Sequence, residues 1–77
     1  MKNYFKEMIK SSLVFKCEFI KKNGEVREMI ATFEEDHPTS SNLIIVFDIV
    51  KDSIRIVNID TLLSLTINKT NLKINRL

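Results

Sequence analysis

Two runs of alternating apolar residues flank the only glycine of the chain, and this arrangement constrains the fold more than any other feature. In the first run Leu13, Phe15, Cys17 and Phe19 alternate with Val14, Lys16, Glu18 and Ile20. In the second, Arg27, Met29, Ala31 and Phe33 alternate with Val26, Glu28, Ile30 and Thr32. A period of two marks half-buried strands. The joining segment, Lys21-Lys22-Asn23-Gly24-Glu25, fits a three-residue loop in which a type I turn is followed by Gly24 in the left-handed region, forming a bulge. Glycine takes that conformation without a Cβ penalty, which accounts for its position. The register then sets Phe19 opposite Arg27, Cys17 opposite Met29 and Phe15 opposite Ala31, so one face is almost wholly apolar. A two-residue loop would set Phe19 opposite Glu28, a poorer burial pattern, and the bulged register is therefore predicted.

The flanking sequence supplies further elements. Tyr4/Phe5, Met8/Ile9 and Ser12/Leu13 recur at helical spacing with Lys2, Lys6, Glu7 and Lys10 between them, predicting a short amphipathic helix over 2–11 that docks on an open end of the sheet. Glu34–Asn42, with Pro38 and a Ser/Thr/Asn cluster, is predicted to be irregular. Leu43–Ile49 reads as a central strand covered on both sides. Val50–Ser53 is a turn, and Ile54–Ile59 a curved strand. Asp60-Thr61-Leu62-Leu63 reads as one helical turn capped by Asp60 or Thr61. Leu65–Ile67 is a last short strand, and 70–77 is a tail or an extra edge strand. At 77 residues this is one domain. Such a chain buries only roughly 60–65% of its unfolded surface, which leaves room for a surface site but not for a deep cleft. The expected fold class is α+β, mainly β: an N-terminal helix packed on a closed or nearly closed, five-stranded small barrel spanning 13–67, since closure removes exposed strand edges.

Several function classes are disfavoured. The single cysteine, Cys17, excludes an internal disulfide and points to a reducing, cytoplasmic setting. The longest fully apolar run, Leu43–Phe47, falls far below the ~20 residues of a membrane helix, so no membrane role is expected. His37, the sole histidine, sits in a loop remote from inward-facing Cys17, so a Cys–His catalytic pair is not expected. Glu34, Glu35, Asp36 and His37 lack a second His or Cys at ligand spacing, so no metal site is assigned. One glycine cannot build a phosphate-cradling loop. The expectation is a non-enzyme without a cofactor.

The run Phe19-Ile20-Lys21-Lys22-Asn23-Gly24, followed by Arg27, Met29, Ala31 and Thr32, resembles the short WYL-like proteins with an Sm-like, SH3-like barrel, found chiefly in tailed phages. Their later block is matched here by Val46-Phe47-Asp48, then Ile54-Arg55, then Ile59 through Leu65. Ile54 stands where that family carries a tryptophan, which removes a stacking ring. The likeness spans roughly Leu13–Leu65. It implies a regulatory or accessory binding module of phage type, in the host cytoplasm if phage-encoded, and it supplies no catalytic residue.

Charge gives the candidate site. Lys+Arg is 12 against 10 for Asp+Glu, a mild basic excess that permits an anionic partner. Lys16, Lys21, Lys22, Arg27 and Arg55 are the expected contacts to nucleic acid, or to the machinery that processes it, with the arginines as phosphate forks. Arg27 falls on the apolar face near the turn, where it either contacts a ligand or closes the barrel end onto Glu18, Glu25 or Asp48. The aromatics are mostly needed for the core, so stacking platforms are scarce. The rival expectation is a protein-directed inhibitor or adaptor, acting for example on a host defence enzyme. An open strand edge or the C-terminal Asn-Leu-Lys-Ile-Asn-Arg-Leu would then pair with a partner strand, or with a second copy in a homo-oligomer.

Overall fold

The computed structural model describes residues 2–74, and the side chains of residues 4–74. The elements follow in the order α1 (Lys2–Ser11), β1 (Phe15–Ile20), β2 (Val26–Asp36), β3 (Leu43–Asp48), β4 (Ser53–Asn58), a 3-10 turn (Ile59–Thr61), β5 (Leu62–Ile67) and β6 (Thr70–Lys73). The first hairpin pairs as its alternation requires: Phe15 with Ala31, Cys17 with Met29 and Phe19 with Arg27. Its loop closes through Gly24 N–H to the Lys21 carbonyl at 2.9 Å and Lys21 N–H to the Glu25 carbonyl at 2.8 Å. Gly24 has φ +88°, the left-handed conformation the bulge demands.

All six strands form one antiparallel sheet in the order β4-β3-β2-β1-β5-β6. The expectation of a closed five-stranded barrel is thereby corrected. A sixth strand, the extra edge strand that was one of the two expectations for 70–77, adds onto β5, and among the described residues the sheet ends at β4 and β6. Closure would need a strand hydrogen-bonded along the far side of β4; that seam is instead lined by Lys21, Lys22, Arg27 and Arg55. The last part of the expected tail, 75–77, lies outside the described residues.

The concave face holds the core. Ile9, Phe15, Cys17, Met29, Ala31, Ile44, Val46, Val57, Ile59, Leu62 and Leu65 are buried, with Phe5, Met8, Phe19 and Phe33 packed against them. Residues of β1 to β4 alternate between this face and the outside, so β3 is buried on one side and half-exposed on the other, rather than covered on both. A second correction concerns β2. It continues through Glu34 to Asp36, where a loop was expected, because a bulge between Phe33 and Glu35 re-aims the strand along β3. The helix is clamped to that extension. Lys10 Nζ donates to Asp36 Oδ2 at 2.9 Å, and Lys6 lies 3.3 Å from Asp36 Oδ1. The 3-10 turn is capped by Asn58, not by Asp60 or Thr61: the Asn58 side chain accepts from the Asp60 N–H at 2.9 Å.

Candidate binding groove

The curled sheet brings the edge of β4 to face the end of the first hairpin across a groove of about 410 Å³. Lys21, Lys22, Arg27 and Arg55 line it, together with Ile54 and Ile56; the remaining wall is apolar, and among the described residues no carboxylate lines it. Each cation is placed by a local rule. Lys21 and Lys22 occupy the loop that Gly24 closes. Arg27 and Arg55 lie on the concave face by strand parity, because Arg27 pairs with Phe19 and Arg55 with Val46, whose side chains also point inward.

One buried acid organises the arginine side. Asp48 is 2% exposed at the end of β3. It accepts from the Lys51 backbone N–H at 3.0 Å and from Arg55 Nε at 2.9 Å. The Lys51 N–H, the Arg55 hydrogen bond, and the charges of Arg55 and Arg27 together hold its carboxyl below the ordinary aspartate value, against the opposing effect of burial. Arg27 therefore sits in the field of Asp48 without an ion pair of its own among the described residues. Of the partners expected for it, Glu18 points away and accepts from the Ser64 hydroxyl at 2.8 Å. Glu25 lies 3.7 Å from Lys21. Lys22 is exposed and forms no ion pair among the described residues.

Lys16 does not join the others. It pairs with Ile30 on the convex face and lies 3.3 Å from Glu28. Four of the five expected contacts thus converge, and the fifth is excluded by a single step of parity. The groove also draws on Ile54 and Ile56, exposed at 57% and 58%, which charge-based reasoning passes over. No clean alternation across 54–59 singles them out; the place of β4 at the end of the sheet does.

A second hollow, about 510 Å³, lies between the hairpin and the β3–β4 turn. Lys21, Arg27 and Lys51 face Glu25, Glu28 and Asp48 across it. Its charges balance, so it offers an ionic ligand no net attraction. Cys17 is fully buried, and burial, with the nearby Asp48 and Glu18 charges, pushes its thiol up to about 12. His37 Nδ1 is 3.3 Å from the Thr39 N–H in an exposed loop. No group of three or more metal-ligating side chains occurs among the described residues. Among them no helix is long and apolar enough to cross a membrane.

No family model matches the sequence, and no curated protein or solved structure does either.

Proposed function

We propose that this chain is a non-enzymatic binding module that holds an anionic chain in the groove between β4 and the first hairpin, nucleic acid being the first partner to consider. The observation that carries this reading is the convergence of Lys21, Lys22, Arg27 and Arg55 on one groove whose described lining contains no acid. Such a groove suits an extended backbone whose charges repeat, with the arginines as forks. Phe19 is the only aromatic among its lining residues. Attraction is therefore chiefly ionic and tolerant of base sequence. The resemblance to short phage-type WYL-like proteins supports a regulatory or accessory role in a host cytoplasm.

The test is fluorescence anisotropy with labelled single-stranded DNA, single-stranded RNA and duplex DNA. Four phosphate contacts on a single strand predict that affinity falls roughly 50-fold between about 50 and 200 mM salt. Charge reversal of Lys21 and Lys22 together is expected to abolish the signal without unfolding the chain, since both lie at the loop. Absence of binding to all three at low salt would overturn the nucleic-acid reading. A second reading, a protein-directed inhibitor or adaptor, is favoured by the open edge of β4 that borders the same groove.

A further inference from the structure

The two edges of the sheet differ in kind. β6 is four residues long, its exposed residues Thr70, Asn71 and Lys73 are polar and only half-buried Leu72 is apolar, and it follows Asn68 and Lys69 at positive φ. Short, polar, lysine-bearing edges are protected against pairing. β4 is six residues long, carries Ile54 and Ile56, and has neither a lysine nor a proline. Hydrogen bonding along it alternates. The Ile59 N–H donates to the Asn42 carbonyl, which places residues 53, 55 and 57 in the pairs bonded to β3. The backbone N–H and C=O of Ile54 and Ile56 consequently point away from β3, toward the groove side. An unpaired edge with exposed apolar side chains is a template for another strand.

We infer that β4 is a docking edge for an extended, acidic segment of a partner protein, which adds as a seventh strand and lays its carboxylates over Lys21, Lys22, Arg27 and Arg55. This rests on the reading of the groove as a site for an anionic chain and names the partner more closely. Charge complementarity excludes a second copy as the first choice, because pairing β4 with its twin would bring two sets of four cations together. The backbone adds to charge for a polypeptide partner, since a strand supplies both donors and acceptors to Ile54 and Ile56. Strand parity then dictates the partner's pattern. Residues opposite Arg55 and Val57 fall on the cationic side and are acidic. Residues opposite Ile54 and Ile56 fall on the convex side and are aliphatic.

The test uses the full chain and a labelled synthetic peptide of alternating glutamate and valine, long enough to span the six residues of β4. The control peptide has the same composition with its glutamates and valines in separate blocks. The alternating peptide is expected to bind about tenfold more tightly than the block control, as strand addition requires. Binding should slow amide exchange of Ile54 and Ile56, read by NMR. Lys22→Glu and Ile54→Lys should each weaken it, and both lie on the surface, so folding is retained. Equal binding of both peptides, or unprotected Ile54 and Ile56 amides, would overturn the inference. If an oligonucleotide binds and neither peptide does, the groove reading stands and this one falls. If nothing anionic binds, both fall. Protection of the same amides by concentration-dependent self-association, with no peptide present, would assign the edge to a second copy and also overturn it.

Discussion

Arg55 Nε stands 2.9 Å from Asp48 Oδ2, and the acid is nearly sealed while the arginine reaches the groove. Asp48 thus fixes one of the four groove cations from beneath. It also ties the β3–β4 turn, through the Lys51 N–H, to the same carboxylate. Removing the acid leaves Arg55 unpaired and the Lys51 N–H without its acceptor. Asp48→Ala is expected to cost about 3 kcal/mol, and Asp48→Asn, which keeps an acceptor, about half of that. Urea unfolding at neutral pH measures both.

Acid should expose the same contact. The folded-state pKa of Asp48 is depressed, and that of Asp36 is also lowered by its hydrogen bond from Lys10 and then by that from Lys6. A depressed carboxyl stabilises the fold above its unfolded value, near 3.9, and the contribution is lost as pH falls through the folded value. Stability should therefore hold down to about pH 4 and decline below it. In Asp48→Asn the decline should be shallower. An unchanged acid limb in that variant would show that Asp48 is not held low.

Cys17 makes the opposite prediction at high pH. Its thiol is raised to about 12 by burial and then by Asp48 and Glu18. The folded chain holds the proton that the unfolded chain releases, so stability is full below the unfolded value near 8.5 and declines as pH climbs above it. At neutral pH the native thiol should resist a thiol-specific reagent and react fully in denaturant. Rapid native labelling would contradict its burial. Cys17→Ser places a hydroxyl in an apolar pocket and should cost more than Cys17→Ala.

The first hairpin was legible because its two signals agree. Alternation fixes which face is buried, and Gly24 fixes where the chain turns, so the pairing of Phe19 with Arg27 followed without knowledge of the rest. The helix was legible from Phe5, Met8 and Ile9. The extension of β2 was not. Glu34, Glu35 and Asp36 are charged and exposed, and only pairing with Ile45 and Ile44, a non-local fact, makes them a strand. Closure was misjudged for a related reason, since whether β4 meets another strand depends on how far the whole sheet curls. The groove was half visible: the cations were found by type, but their sorting between faces needed register, and Ile54 and Ile56 needed the topology.

Gly24 can be tested alone. Nothing lies within 4 Å of a Cβ built there, so space is not the constraint; the φ of +88° is. Gly24→Ala is expected to cost about 1 kcal/mol through backbone strain, and Gly24→Asn less, because asparagine tolerates the left-handed region. A loss well above this would mean that the loop carries contacts beyond its turn. Both substitutions should leave the Phe19–Arg27 register intact, which cross-strand NOEs would show.

Lys16 and Lys22 separate the two faces. Both belong to the first hairpin and both are exposed, yet Lys16 pairs with Glu28 on the convex face and Lys22 borders the groove. An exposed pair of this kind contributes under about 1 kcal/mol, so Lys16→Gln should barely alter stability. If the groove is the binding surface, Lys16→Gln should also leave affinity for an anionic ligand within about twofold at moderate salt, where convex-face charge is screened. Lys22→Gln, by contrast, should weaken binding and reduce the steepness of its salt dependence by roughly one contact. The two variants carry the same change in net charge, so a general attraction between a basic protein and an anion would lower both affinities equally. An equal loss would move the site off the β4 groove and return Lys16 to it.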